Sequence, residues 1–141
     1  MKATVKWVDG LMMLGTSGSG HTVVMDGPKE SGGSELGVRP MEMLLLGMGG
    51  CSSIDVLLIL KKSRQNVTDC VAELTAERAD SVPSLFTKIH IHFVVTGKGL
   101  KEAHVERAVS LSAEKYCSAA IMLQNGGVEI THDYEMIEVD A

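Results

Sequence analysis

The chain has 141 residues, 45% hydrophobic and 22% charged, with a net charge of −5 at pH 7. That length and apolar content allow a real core within one domain spanning residues 1–141. An acidic chain of this kind lacks the basic stripe that neutralises phosphates, so nucleic acid is not an expected partner.

The first residues, MKATVKWVDG, alternate apolar and polar without the apolar core of about 7 to 15 residues that a signal peptide needs. A reducing cytoplasm is the expected setting. Three cysteines, Cys51, Cys70 and Cys117, are too few and too widely spaced for a disulfide framework, and none forms a C-x-x-C pair, which argues against a zinc knuckle or a thioredoxin-type motif.

Ala3 to Val8 alternates like a strand, Asp9-Gly10 is a hairpin dipeptide, and Leu11 to Leu14 returns. His21 to Met25 predicts a third short strand. From Gly27 to Gly37 the composition shifts to Gly, Ser, Pro and charge (GPKESGGSELG), which predicts a mobile loop, and loops beside pockets often carry function.

Pro40 suits the first turn of a helix, where its missing N–H costs nothing, and that helix is expected to run to Ser63 or Arg64. Its segment Met41 to Leu60 (MEMLLLGMGGCSSIDVLLIL) is almost uninterruptedly apolar. The uncharged run between Glu42 and Asp55 is shorter than the roughly 20 residues a spanning helix needs, so a core helix is expected and no membrane partner. A helix apolar on every side belongs in an interior. Gly47, Gly49 and Gly50 each cost roughly 1 kcal/mol against alanine in a helix, and close backbone approach is the expected compensation.

Two strand-like runs follow, Asp69 to Arg78 and Leu85 to Thr96. In the second, Ile89, Ile91 and Phe93 alternate with His90, His92 and Val94. Lys101 to Glu114 has helical composition, Ser118 to Leu123 predicts a short helix, and Asn125-Gly126-Gly127 turns the chain into a last strand, Val128 to Val139. The order β-β-β-α-β-β-α-α-β has no βαβ alternation, which predicts an α+β fold whose sheets wrap a long central apolar helix. So apolar a helix is hard for a small domain to surround alone, so a homodimer sharing the core is expected.

Two thiols are the candidate reactive groups. Cys117 directly precedes a predicted helix, where the dipole and free N–H groups favour a thiolate, so it is expected to ionise more readily. Cys51 lies in apolar surroundings with Asp55 one helical turn away, an arrangement expected to oppose a thiolate. Arg39, His21 and Lys29 are the candidate cations. His90 and His92 share a strand face, but no third ligand stands at a recognisable spacing, so no metal is expected. Met41, Met43 and Met48 fill the core or line an adaptable pocket, and Cys70 is expected to be structural.

The run Arg39-Pro40-Met41-Glu42-Met43-Leu44-Leu45-Leu46-Gly47-Met48-Gly49-Gly50-Cys51, with Ala113-Glu114-Lys115-Tyr116-Cys117 far downstream, resembles the OsmC/Ohr family. That family comprises osmotically induced protein C and the organic hydroperoxide resistance proteins. The resemblance implies an intertwined homodimer and a thiol-dependent peroxidase of the oxidative or osmotic stress response. Cys51 would be the peroxidatic residue and Cys117 the resolving one. An organic hydroperoxide or other small apolar molecule would be the substrate and an external dithiol the reductant, with no cofactor. By the same resemblance Arg39 is a possible stabiliser of the thiolate and Glu42 its possible partner. In the peroxidases a glutamate directly follows the proline; here Met41 stands there, and Glu42 points about 180° away from Cys51 on an ideal helix. These departures place the chain near the OsmC-like branch whose substrates are poorly defined. Two other readings stay open: a non-catalytic protein holding a small apolar ligand, and a structural dimer with inert thiols.

Overall fold

The structure is a computed structural model, and residues 1–139 are described. The elements follow the order expected from sequence: β1 (Ala3–Asp9), β2 (Met12–Ser17), β3 (Thr22–Met25), α1 (Pro40–Lys62), β4 (Asn66–Arg78), β5 (Phe86–Lys98), α2 (Glu102–Leu111), α3 (Ser118–Asn125) and β6 (Glu129–Glu138). A 3₁₀ turn at Lys29–Ser31 and a single π-turn at Ser112–Tyr116 were not expected. The chain divides into two compact units, Met1–Leu46 and Gly47 onward.

In the first unit β1, β2 and β3 form an antiparallel meander. Gly10 turns the first hairpin with φ +54°, a conformation glycine adopts without steric cost. The segment Gly27 to Gly37 is tied down, contrary to the expectation of a mobile loop. Asp26, 3% exposed, accepts the N–H groups of Gly27, Ser34 and Leu36. The bond from Gly27 leads in holding this carboxyl below its ordinary pKa, with those from Leu36 and Ser34 adding to it. A short polar side chain satisfying three loop N–H groups orders a segment whose composition alone suggests none.

In the second unit β4 and β5 pair antiparallel while β5 and β6 pair parallel. A parallel pair needs a crossover, which α2, the π-turn and α3 supply. Alternation along β5 sends Ile89, Ile91, Phe93 and Val95 into the core, each at most 2% exposed. On α1 the buried residues Met48, Ser52, Val56 and Leu60 recur every fourth position and form one stripe. Of the three helix glycines in the apolar run, Gly49 has the close approach expected: an added Cβ would meet Leu74 Cδ1 at 2.8 Å. Gly47 and Gly50 face open space within the chain. The helix is long and apolar enough to cross a membrane by length and composition, yet its buried stripe packs into the α+β core. It is not buried all round: Ile54 is 60% and Leu58 55% exposed.

On the other face of the sheet, His90 and His92 converge on Asp133. The register sets His92 beside Asp133 on β6 and Glu73 on β4, and His90 beside Thr131. Asp133 Oδ1 lies 2.8 Å from His90 Nε2 and 2.7 Å from His92 Nδ1, while His92 Nε2 is 3.6 Å from Glu135. The bond to Asp133 leads in raising the His92 pKa, and the bond from His92 leads in lowering that of Asp133. The His92 contribution to stability is therefore complete below the ordinary imidazole value and lost as pH rises through the raised one. Asp133→Asn is expected to lower Tm more at about pH 6 than at about pH 9, as read by thermal unfolding at the two values.

Candidate active site

Cys51 and Asp55 stand one helical turn apart on α1, directly beside the buried stripe that contains Ser52. Cys117 arrives from the other side. The π-turn ends α2 when Cys117 N–H donates to the Ser112 carbonyl at 2.8 Å, leaving Cys117 as the N-cap of α3. π-turns of this sort, one wide turn at a helix end, recur at functional sites. The sulfurs of Cys51 and Cys117 and a carboxylate oxygen of Asp55 all lie within 4.8 Å of one another. The structure thus brings together the two thiols that the sequence separates and adds an acid beside them.

Cys117 is fully buried. Its sulfur accepts from Ser52 Oγ at 3.0 Å and from Ala120 N–H at 3.3 Å, and its thiol donates to the Met48 carbonyl at 3.9 Å. Ser112 Oγ donates to the Ser52 carbonyl at 3.1 Å, fixing that turn of α1 against the π-turn. The expectation that Cys117 ionises readily fails. Burial pushes its pKa up, and although the Ser52 and Ala120 bonds pull down, the Cys51 thiol beside it pushes up again. One turn of dipole at the start of a short helix does not offset removal from water. Cys70 is half-buried on β4; burial first and Asp69 second raise its pKa, consistent with an unreactive thiol.

Asp55 is half-buried, and its Oδ2 has no hydrogen-bond partner. Burial raises its pKa, so the repulsion expected between Asp55 and a Cys51 thiolate weakens. A cavity of about 450 Å³ opens on Asp55, lined also by the apolar Leu58, Ile59 and Leu111 and by the polar groups of Lys62, Arg107 and Tyr116. Arg39 and Glu42 make local contacts in the first unit. Arg39 pairs with Glu35 at 3.0 Å, both half-exposed, and Glu42 Oε1 accepts the Arg39 N–H at 2.8 Å, the backbone half of a capping box for α1. Lys29 lies in the 3₁₀ turn, and His21 Nδ1 lies 3.0 Å from Ser19 Oγ.

Two thiols and a carboxylate form a soft donor set of the kind zinc accepts. The Cys117 sulfur, however, already has Ser52, Ala120 and Met48 as partners, and no fourth donor joins the group among the described residues. We therefore read the cluster as a thiol pair with an acid. Reasoning from the sequence missed Ser52 and Ser112. Their signal was available only in part: Ser52 falls on the Met48, Val56, Leu60 stripe, where a hydroxyl must find a partner.

Because Cys117 is enclosed and Cys51 half-buried, iodoacetamide is expected to label Cys51 on the order of tenfold faster than Cys117. Ser52→Ala, by removing a donor to the Cys117 sulfur, is expected to widen that gap. Peptide mass spectrometry over a labelling time course checks both.

Residues 32–133 match the family model described as OsmC-like protein. The chain is 56% identical over 137 residues to Protein YhfA of Escherichia coli strain K12, covering 97% of this chain and 98% of that one. A hypothetical protein from Aquifex aeolicus VF5 has a crystal structure that superposes with a TM-score of 0.80 at 30% identity, over 97% of each chain. The Organic Hydroperoxide Resistance Protein OhrB of Bacillus subtilis shares the fold, with a TM-score of 0.63 at 19% identity over 96% of this chain and 98% of that one. The chain belongs to the OsmC-like protein family.

Proposed function

We propose that this protein is a cytoplasmic, homodimeric thiol peroxidase that reduces apolar organic hydroperoxides through Cys51 and Cys117. The observation that carries the reading is the approach of the Cys51 and Cys117 sulfurs, far apart in sequence, to within 4.8 Å of each other and of a carboxylate oxygen of Asp55. Cys51, the more accessible thiol, attacks the terminal peroxide oxygen and becomes a sulfenic acid. Cys117, whose thiol burial keeps protonated at rest, gives up that proton as its sulfur attacks the Cys51 sulfur; the S–S bond forms, the S–O bond breaks and hydroxide leaves with the proton as water, giving a disulfide that an external dithiol reduces.

The family supports the reading, as does the likeness in fold to a protein named for organic hydroperoxide resistance. The apolar walls of the neighbouring cavity suit an apolar substrate. In stopped flow with cumene hydroperoxide and dithiothreitol, Cys51→Ser is expected to fall to the uncatalysed rate. Cys117→Ser is expected to undergo one oxidation and stop at a sulfenic acid that dimedone traps. Equal, slow consumption by wild type and both variants would favour the ligand-binding or structural readings instead.

The dimer is supported by the apolar side chains that a single chain leaves in water. On α1 these include Ile54, Leu57 and Leu58; on β1 they include Val5, Trp7 and Val8. Exposed apolar surface of that kind favours association. Sedimentation velocity is expected to give a species of twice the chain mass, and Ile54→Lys with Leu58→Lys is expected to shift it towards monomer.

A further inference from the structure

Asp55 Oδ2 is the one buried side-chain oxygen without a partner among the described residues, and a carboxylate oxygen of Asp55 lies within 4.8 Å of both thiols. Leaving such a group unsatisfied costs stability, so its presence calls for a role. We propose that Asp55 is the proton carrier of the thiol pair, taking the Cys51 proton and returning it to the alkoxide that leaves the peroxide. This deepens the peroxidase reading and rests on it.

The chemistry balances as follows in atoms and electrons. The Cys51 sulfur forms a bond to the terminal oxygen of the hydroperoxide while the O–O bond breaks, and that bond's electron pair goes to the alkoxide. Sulfur is oxidised by two electrons and the peroxide reduced by two. The proton lost from the Cys51 thiol passes through the Asp55 carboxyl to the alkoxide, giving the alcohol and a sulfenic acid. When Cys117 attacks the Cys51 sulfur, an S–S bond forms and the S–O bond breaks. The Cys117 proton travels by the same carboxyl to the departing hydroxide, giving water.

The placement suits both transfers, because one carboxyl lies within 4.8 Å of each sulfur. Its burial keeps the neutral, proton-bearing form accessible, as an acid catalyst needs. The titratable groups facing it are Cys51 and Lys62 on α1, Arg107 on α2, Tyr116 on the π-turn, and Cys117. Lys62 and Arg107 line the same cavity as Asp55 and give it cationic groups. A carboxyl stationed four residues after a reactive cysteine thus serves it twice, as the carboxylate that receives the thiol proton and then as the acid that returns it.

The test compares oxidants that differ in their need for that proton, each variant being referred to wild type with the same oxidant. An alkyl hydroperoxide expels a strongly basic alkoxide, whereas peracetic acid expels acetate, which leaves without protonation. Single-turnover oxidation of reduced full-length protein is followed for wild type and Asp55→Asn. The variant is expected to react about 10²-fold more slowly with cumene hydroperoxide and to lose far less with peracetic acid. Iodoacetamide labelling of Cys51, whose iodide leaves without a proton, reports separately how far the variant changes the deprotonation of the thiol, and Asp55→Glu is expected to restore part of the rate. Equal losses with both oxidants, or none with either, would overturn the proton-carrier role while leaving the peroxidase reading in place. So would stoichiometric zinc in purified wild type that is lost in Asp55→Asn, since a metal-bound carboxylate carries no proton. Wild type inert to both oxidants would sink the peroxidase reading, and this proposal with it.

Discussion

The second unit depends on one buried contact, the hydrogen bond from Ser52 Oγ to the sulfur of Cys117. Through it the middle of α1 is held to the junction of the π-turn and α3. Ser112 reinforces the same junction by donating to the Ser52 carbonyl, so two buried hydroxyls and one thiol satisfy each other with little left over. Since Cys51 and Ser52 are adjacent, anchoring Ser52 also sets where Cys51 stands. The meeting of the thiols is therefore a product of packing rather than of any attraction between the sulfurs themselves.

That packing also decides the electrostatics. Burial acts on Cys117 and Asp55 in the same direction, disfavouring the charged form of each. A pair of anions beside a third acidic group would be self-repelling, whereas neutral groups that exchange a proton can share a small space. The site is thus suited to chemistry in which charge is transient. A helix N-terminus and a cap N–H are present at Cys117, but their pull is smaller than the cost of leaving water.

The same helix divides its labour by face. Met48, Ser52, Val56 and Leu60 close onto the core, Cys51 and Asp55 flank that stripe, and Ile54, Leu57 and Leu58 look outward. A helix apolar all round makes sense where one face packs within the chain and another is available to a partner. Gly49 illustrates how tight the inner face is, since even a methyl group there would press on Leu74, while Gly47 and Gly50 have no such neighbour within the chain.

Much of this was legible in the sequence. Period-two alternation in β5, the Pro40 start of α1 and the glycine turns predicted the element order, because local periodicity and turn chemistry are read one segment at a time. The Cys51 and Cys117 motifs likewise carried the family. What the tertiary structure alone decided involves partners distant in sequence. Asp133 reaches His90 and His92 through a parallel β5–β6 register that no local pattern encodes. Asp26 orders a loop whose composition suggests mobility, since three N–H groups converge on one carboxylate only after the chain turns back. Cys117 looked the easier thiol to ionise because helix position is visible in sequence and depth of burial is not. Asp55 changed meaning for the same reason: as a neighbour in sequence it is a negative charge beside Cys51, and once desolvated it is an acid that holds its proton more tightly.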